Sequence, residues 1–180
     1  MNADTLPIRA LTTEQIDDAE QYSALLKTLD SQLALSDLQF ENQSWLTPQA
    51  VLRANAGGWK RIALEAKLGK DASSALGSTY DLVVGAQGDG YVAFLAGSTG
   101  RGKGSHAVVA IIGRLESARG LGAGQVLLDA FVQIAKDRGC THIRAELDSN
   151  SIGLEHLMQR TTLYGFGPCP KNPGFICKEI

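Results

Sequence analysis

Apolar and polar residues follow two different periods along the chain, and the changes of period delimit its elements. Thr5–Leu11 has the form of a short strand, and Pro7 suggests a position at the edge of a sheet. Thr12 to Gln15 then has the capping-box form that begins many helices. Behind it, apolar residues recur at helical spacing as Tyr22, Leu25, Leu26, Leu29 and Leu33. The N-terminal region therefore predicts a strand followed by a long amphipathic helix.

A second helix is predicted from Thr47, which is a suitable N-cap and precedes a proline at the first helical position. This helix should end at the pair Gly57-Gly58. Trp59–Gly69 is predicted as a further short helix, and the polar run Lys70–Thr79 as a connecting loop.

The period then becomes that of strands. Tyr80–Gln87 and Tyr91–Ser98 are apolar runs joined by the hairpin signal Gly-Asp-Gly. A second glycine-rich turn leads into a longer run, His106–Ser117. Three strands with short connections predict an antiparallel meander.

Helices and strands alternate in the remainder of the chain. A helix that follows a glycine-rich turn ends at Arg138-Gly139, and Cys140–Asp148 is predicted as a strand. Asn150–Gly165 is predicted as a helix and Gly174–Ile180 as a last strand. Because no repeat or linker divides the sequence, we expect one α/β (α+β) domain over residues 1–180.

Composition narrows the function classes without identifying one. A net charge of −2 argues against a broad basic surface for nucleic acid. The start of the chain lacks the basic and apolar regions of a signal peptide, and no apolar run has the length of a membrane helix. The three cysteines are an odd number without metal-like Cys-x-x-Cys spacing. We therefore expect a cytoplasmic protein with reduced cysteines and no metal site.

The most informative stretch is the turn after the third meander strand. Gly120, Gly122 and Gly124 follow Arg119 and run directly into a helix, although glycine costs about 1 kcal/mol relative to alanine inside a helix. Such a turn presents unpaired backbone N–H groups and the positive end of the helix dipole, which together bind anions. Two other interpretations stay open: a tight turn without ligand, and a dinucleotide-binding turn with Glu146 or Asp148 as its acidic residue.

Arg119 to Gly124 resembles the R/Q-x-x-G-x-G/A motif of the GNAT acetyltransferase family. The order of predicted elements is similar to that family over nearly the whole chain, including a last helix that ends in Tyr-Gly-Phe. The similarity accounts for the segment Trp45–Thr79 only loosely. The resemblance implies a GNAT-like fold, with a central mixed, mostly antiparallel sheet flanked by helices. It also implies an acyltransferase that moves an acetyl or short acyl group from acyl-CoA to an acceptor, which we expect to be an amine.

The same resemblance implies which residues hold acetyl-CoA. The backbone of the glycine turn would bind the pyrophosphate, and the end of the preceding strand would bind the pantetheine arm and the acetyl carbonyl. Asn150 either contacts the cofactor or serves only as an N-cap. The full implied set is Ile112, Gly113, Arg114, Arg119, Gly120, Leu121, Gly122, Ala123, Gly124, Gln125 and Asn150.

Catalytic residues are less clearly indicated. Many relatives carry a tyrosine proton donor at the position that Thr161 occupies here, and Tyr164 is the nearest phenol. Cys169 and His156 are weaker candidates for the same role. Two carboxylates are candidate bases, Glu146 first and Glu116 second, although water can also accept an amine proton.

Thr161 also keeps open an alternative from a different class of function: a non-catalytic module of the same fold that binds acyl-CoA or a partner protein. No motif indicates whether the acceptor is a small molecule or a protein amine.

Overall fold

The computed structural model describes residues 6–32, 46–56, 79–100, 105–146, 159 and 161–180. Seven strands form one sheet in the order β1-β2-β3-β4-β5-β7-β6, in which β4 and β5 run parallel and the other neighbours run antiparallel. The strands are β1 (Ile8–Thr12), β2 (Thr79–Gln87), β3 (Gly90–Thr99), β4 (Ser105–Arg114), β5 (Cys140–Glu146), β6 (Gly167–Pro168) and β7 (Phe175–Glu179). The α-helices whose bounds lie within the described residues are α1 (Ala19–Gln32), α2 (Pro48–Ala56) and α3 (Ala123–Asp137). The expected fold class is confirmed.

The N-terminal capping box forms, but it does not begin the long helix. The Thr12 N–H donates to Gln15 Oε1 at 2.9 Å, and only one 3₁₀ turn follows, at Thr13–Gln15. Helix α1 begins later because Asp18 provides a second cap, with its Oδ1 accepting from the Gln21 N–H at 2.8 Å. The prediction of a helix directly behind Thr12 is therefore wrong.

Helix α2 begins where the sequence indicates, since Thr47 Oγ1 accepts a hydrogen bond from the Ala50 N–H at 3.2 Å. The predictions for Trp59–Gly69 and for residues 70–78 lie outside the described residues, and Thr79 is already part of β2. Most of the predicted helix Asn150–Gly165 is also outside them. Its described end, residues 161–163, is helical.

Two apolar clusters hold the sheet between helices. On one face, residues of α1 and α2 pack against the even-numbered residues of β2 and against Phe94: Tyr22, Leu25, Leu26, Leu29 and Val51 with Tyr80, Leu82 and Val84. On the other face, residues of α3 pack against four strands: Leu127, Leu128 and Phe131 with Val83, Leu95, Ala107 and Ile143. The two-residue period of the strands therefore supplies both faces of the sheet with apolar side chains.

The C-terminal end of α3 is fixed to the sheet by ionic contacts. Arg138 pairs with both carboxylate oxygens of the buried Asp81 on β2 and donates to Thr99 Oγ1 on β3 at 2.6 Å. At the middle of the helix, Gly97 of β3 admits the Phe131 ring, because a Cβ at that position would lie 2.5 Å from Phe131 Cζ. These contacts set the position of α3, and thus of the turn that precedes it, relative to the strands.

Strand β4 contains a bulge that the sequence did not predict. Val109 pairs with Gly97 and Ile111 pairs with Ala96, which leaves Ala110 as the extra residue. The bulge exchanges the faces of the strand: Val109 packs on the α3 side, whereas Ile111 and Leu115 pack on the α1 side. The residues between them, Ala110 and Ile112, are exposed as a result.

The same bulge lies directly after the last described pair of β4 with β5. Among the described residues, the parallel pairs join Ser105–Val109 to Cys140–Ala145. The rest of β4, from Ala110 to Arg114, extends about 16 Å beyond the last described pair with β5. We refer to the space beside Ala110–Arg114, beyond the last described pair with β5, as the gap between β4 and β5.

A disulfide joins Cys169 to Cys177 near the C-terminus, and Cys140 is a free, buried thiol. The expectation of reduced cysteines is wrong for the bonded pair, because strands β6 and β7 bring these two residues together with a Cα–Cα distance of 5.1 Å. Within the described ranges, every helix is too short or too polar to cross a lipid bilayer.

Candidate functional site

The glycine turn connects a 3₁₀ turn at Glu116–Ala118 to the N-terminus of α3. Gly120 and Gly122 have φ of +77° and +76°, which L-residues rarely adopt, so the path of the chain requires glycine at both positions. Gly122 is the N-cap and has no side chain with which to cap the helix. The first bond into the helix runs from the Val126 N–H to the Gly122 carbonyl at 3.1 Å. The N–H groups of Ala123, Gly124 and Gln125 therefore have no acceptor within the helix.

Gly124 needs a different explanation. It lies inside the first turn of α3 without a positive φ, and a Cβ at this position would meet Tyr164 Oη at an ordinary contact distance of 3.9 Å. Neither backbone conformation nor crowding by described residues requires a glycine here, although glycine weakens a helix. A group from outside the chain that approaches the backbone would account for it.

The end of β4 presents backbone groups next to this turn. The Leu115 N–H bonds the Val92 carbonyl of β3 at 2.8 Å. Because successive residues of a strand point their N–H and C=O groups to opposite sides, those of Ile112 and Arg114 point away from β3, toward the gap beside β5. Gly113 lies between them, and a Cβ there would lie 3.1 Å from the Phe94 ring. The side chain of Ile112 is 43% exposed.

Three charged residues surround the turn. Arg119 Nη1 lies 2.9 Å from Glu116 Oε1, and Arg114 Nη1 lies 3.7 Å from Glu116 Oε2. The hydrogen bond from Arg119 and the positive charges of Arg119 and Arg114 lower the pKa of Glu116. A lower pKa makes this carboxylate a weaker base than an unpaired glutamate.

Tyr164 lies across from the helix N-terminus, with its hydroxyl beside Gly124. It packs against the cluster that contains Leu127 and Phe131, and it remains half-buried. The other three tyrosines of the chain are buried: Tyr22, Tyr80 and Tyr91. Burial raises the pKa of Tyr22 and Tyr80, which makes both poorer proton donors.

Glu146 is the last residue of β5 and follows Ala145, the last described residue of β5 that pairs with β4. Its side chain is exposed at the base of the gap between the two strands. On the same face of β5, the Arg144 guanidinium lies 5.8 Å from the centre of the Phe175 ring. The structure thus brings Glu146 to the gap and leaves Glu116 at the glycine turn.

The remaining predicted residues are accounted for as follows. Asn150 and His156 lie outside the described residues. Cys169 is bonded to Cys177 and so has no thiol proton to donate, which rules it out as the weaker alternative considered for that role. In the part of the chain that the structure describes, no three His, Cys, Asp or Glu side chains form a group suited to a metal ion.

The order of the sheet also bears on the dinucleotide interpretation. The glycine turn follows an antiparallel meander, and the described strands contain a single parallel pair, β4 with β5. A doubly wound dinucleotide-binding fold needs a mostly parallel sheet around its glycine turn. The dinucleotide interpretation is therefore dropped.

Comparisons with known proteins agree with this geometry. The sequence profile of the Acetyltransferase (GNAT) family matches residues 45–161. A comparison with curated proteins found no match.

Several solved structures are similar to the chain. PaiA N-acetyltransferase from Thermoplasma acidophilum, solved in complex with coenzyme A, superposes with a TM-score of 0.59 at 13% identity, over 98% of this chain and 99% of that one. A GNAT-family acetyltransferase from Staphylococcus aureus has a TM-score of 0.59 at 11% identity, over 96% and 98%. An acetyltransferase from Thermus thermophilus has a TM-score of 0.56 at 16% identity, over 100% of both chains. At these identities the likeness shows the fold.

Proposed function

The chain belongs to the acetyltransferase (GNAT) family, and on that premise we propose that it transfers an acetyl or short acyl group from acyl-CoA to an amine. The observation that carries the proposal is the N-terminus of α3, where three N–H groups behind a glycine N-cap lack an acceptor within the helix and the first turn has no acidic residue. Arg119 and Arg114 add positive charge to the same place. Such a site suits the diphosphate of CoA.

The gap between β4 and β5 supplies the second half of the donor site. The backbone groups of Ile112 and Arg114 that point into it are suited to hydrogen-bond the amides of an extended pantetheine arm. The exposed Ile112 side chain offers apolar contact to the same arm. With the diphosphate at Gly122–Gln125, the thioester would lie within the gap, where a β4 N–H can polarise its carbonyl.

The transfer itself requires one bond to form and one to break. The amine nitrogen attacks the thioester carbonyl, the carbon–sulfur bond breaks, and the thiolate takes a proton as it leaves. We assign Glu146 or water to accept the amine proton and Tyr164 to protonate the thiolate. Exposure at the base of the gap supports Glu146, and Tyr164 is the half-buried phenol beside the donor site.

Release of CoA thiol from acetyl-CoA in the presence of a panel of amines tests this function. We expect thiol release that depends on the amine, together with tighter calorimetric binding of acetyl-CoA than of NAD. Labelled acetyl-CoA added to a cell extract, followed by mass spectrometry of the products, would identify the acceptor. Tighter binding to NAD, or absence of CoA binding, would contradict the proposal.

One observation favours a second function, the binding of acyl-CoA without turnover. Thr161 occupies the position of the family's tyrosine, and its hydroxyl is a far weaker acid than a phenol. If this second function is correct, acetyl-CoA binds but no amine in the panel accelerates thiol release and the extract yields no acetylated product.

A further inference from the structure

Glu116 holds both arginines that flank the glycine turn. Its Oε1 accepts a hydrogen bond from Arg119 Nη1 at 2.9 Å, and its Oε2 lies 3.7 Å from Arg114 Nη1. All three side chains are substantially exposed, with Glu116 and Arg119 at 65% and 67%. The two guanidinium groups at the proposed anion site are therefore already paired with a carboxylate of the same chain.

Local backbone geometry places this carboxylate beside Arg119. Residues 116–118 form a 3₁₀ turn, and the Arg119 N–H donates to the Glu116 carbonyl at 3.0 Å. In a 3₁₀ helix the side chains at positions i and i+3 lie directly above one another. The backbone of the turn thus places the Glu116 carboxylate within reach of the Arg119 guanidinium.

A carboxylate and a phosphate present the same kind of acceptor to arginine. Both bind a guanidinium through paired oxygens and charge-assisted hydrogen bonds, so they compete for the same donors. The charge of Glu116 also stays next to any anion bound at the glycine turn, where like charges repel.

We propose that Glu116 competes with the CoA phosphates for Arg119 and Arg114, and so weakens the binding and speeds the release of CoA. This inference rests on the proposed function, because it takes the glycine turn as the diphosphate site. It gives Glu116 a role in tuning donor affinity, in place of the catalytic role considered for it from the sequence. It also predicts a direction that a ligand-binding or merely structural residue would not give: removal of the carboxylate charge strengthens binding.

The test compares the dissociation constant of CoA for the parent protein and Glu116→Gln by calorimetry. We expect the constant to fall about two- to fivefold in Glu116→Gln, the scale that exposed ion pairs typically contribute. Asp137→Asn is the matched control, because it removes the same charge at the far end of α3, about 21 Å along the helix from Ala123. Its CoA affinity should equal that of the parent.

A second pair of variants tests whether the effect of Glu116 on CoA affinity depends on Arg119. Arg119→Gln should weaken CoA binding. Adding Glu116→Gln to Arg119→Gln should increase CoA affinity less than Glu116→Gln does in the parent, because the arginine for which the carboxylate competes is absent. Inorganic pyrophosphate should displace CoA from the parent and from each variant. The affinities of these proteins for pyrophosphate should follow the same order as their affinities for CoA. An unchanged or larger dissociation constant in Glu116→Gln would overturn the inference. If CoA binds to no variant, and not to the parent, the proposed function fails and the inference fails with it.

Discussion

Gly124 allows the proposed diphosphate site to be tested without disturbing the backbone. A side chain at Gly120 or Gly122 is strained by the positive φ, so a loss of binding there could reflect a distorted turn. At Gly124 the φ is not positive, and the space around a Cβ is open to 3.9 Å. A glutamate in the first turn of a helix is also favoured by the helix dipole.

We therefore expect Gly124→Glu to fold normally, with a melting temperature at or above that of the parent, and to lose CoA binding by at least about tenfold. The neutral variant Gly124→Gln has nearly the same volume and is the matched control. It should bind CoA more tightly than Gly124→Glu, since only the glutamate adds charge repulsion. Calorimetry together with thermal unfolding measures both effects. Equal CoA affinity of the parent and Gly124→Glu would show that the phosphate does not bind at this helix.

The roles of Tyr164 and Thr161 can be distinguished by measuring turnover and CoA affinity separately in a variant of each residue. If the departing thiolate needs an acid, a phenol is a far stronger acid than an aliphatic hydroxyl, which favours Tyr164 over Thr161. Tyr164→Phe should then lower turnover about 10²- to 10⁴-fold while the CoA dissociation constant stays nearly unchanged. Thr161→Val should have a much smaller effect. Turnover of Tyr164→Phe within about threefold of the parent would make Tyr164 a packing residue.

At the scale of elements, the ion pair between α3 and the sheet should be a main determinant of stability. Asp81 is buried and receives both Nη atoms of Arg138, so its removal leaves a half-buried guanidinium without its partner. We expect Asp81→Ala to lower the free energy of unfolding by about 3 kcal/mol. Asp129→Ala, an exposed carboxylate on the same helix, should change it by about 0.5 kcal/mol or less. Denaturant titration of both variants checks this, and similar values for the two would show that the buried pair contributes little.

The elements that the sequence predicts correctly are those whose apolar period is long and uninterrupted. The meander β2–β4 and helix α3 belong to this group, because each buries a continuous stripe of side chains in one of the two clusters. The start of α1 was misplaced because two cap signals, Thr12 and Asp18, lie six residues apart and local sequence does not rank them. The end of β4 was placed too late because a 3₁₀ turn takes over at Glu116.

The candidate site was predictable to a different degree in its two halves. The proposed anion site is local in sequence, so Arg119 to Gln125 could be predicted for it from glycine spacing and a family resemblance. The gap between β4 and β5 depends on a bulge at Ala110 and on where two strands stop pairing. A bulge depends on the registration of a strand with its neighbour, and the residues that flank Ala110, Val108–Ile112, include no glycine or proline to indicate one.

At the scale of the whole molecule, the disulfide fixes the sheet edge beyond β5. Cys169 and Cys177 close a loop of about nine residues, and the chain-entropy estimate for such a loop is roughly 2.5 kcal/mol at 25 °C. For a chain of 180 residues this corresponds to a shift of about 5 to 10 °C in melting temperature. The bonded residues are distant in sequence from the glycine turn, so stability and CoA binding should respond differently.

Reduction of the protein, or the Cys169→Ala substitution, should therefore lower the melting temperature by about 5 to 10 °C while CoA affinity changes less than about twofold. A reducing agent should cause no further loss in Cys169→Ala, and Cys140→Ala should keep the parent's response to reduction because its thiol is free. Thiol titration of the denatured, unreduced parent provides the direct check. It should find one reactive thiol among the three cysteines, and three reactive thiols would show that the bond between Cys169 and Cys177 does not form.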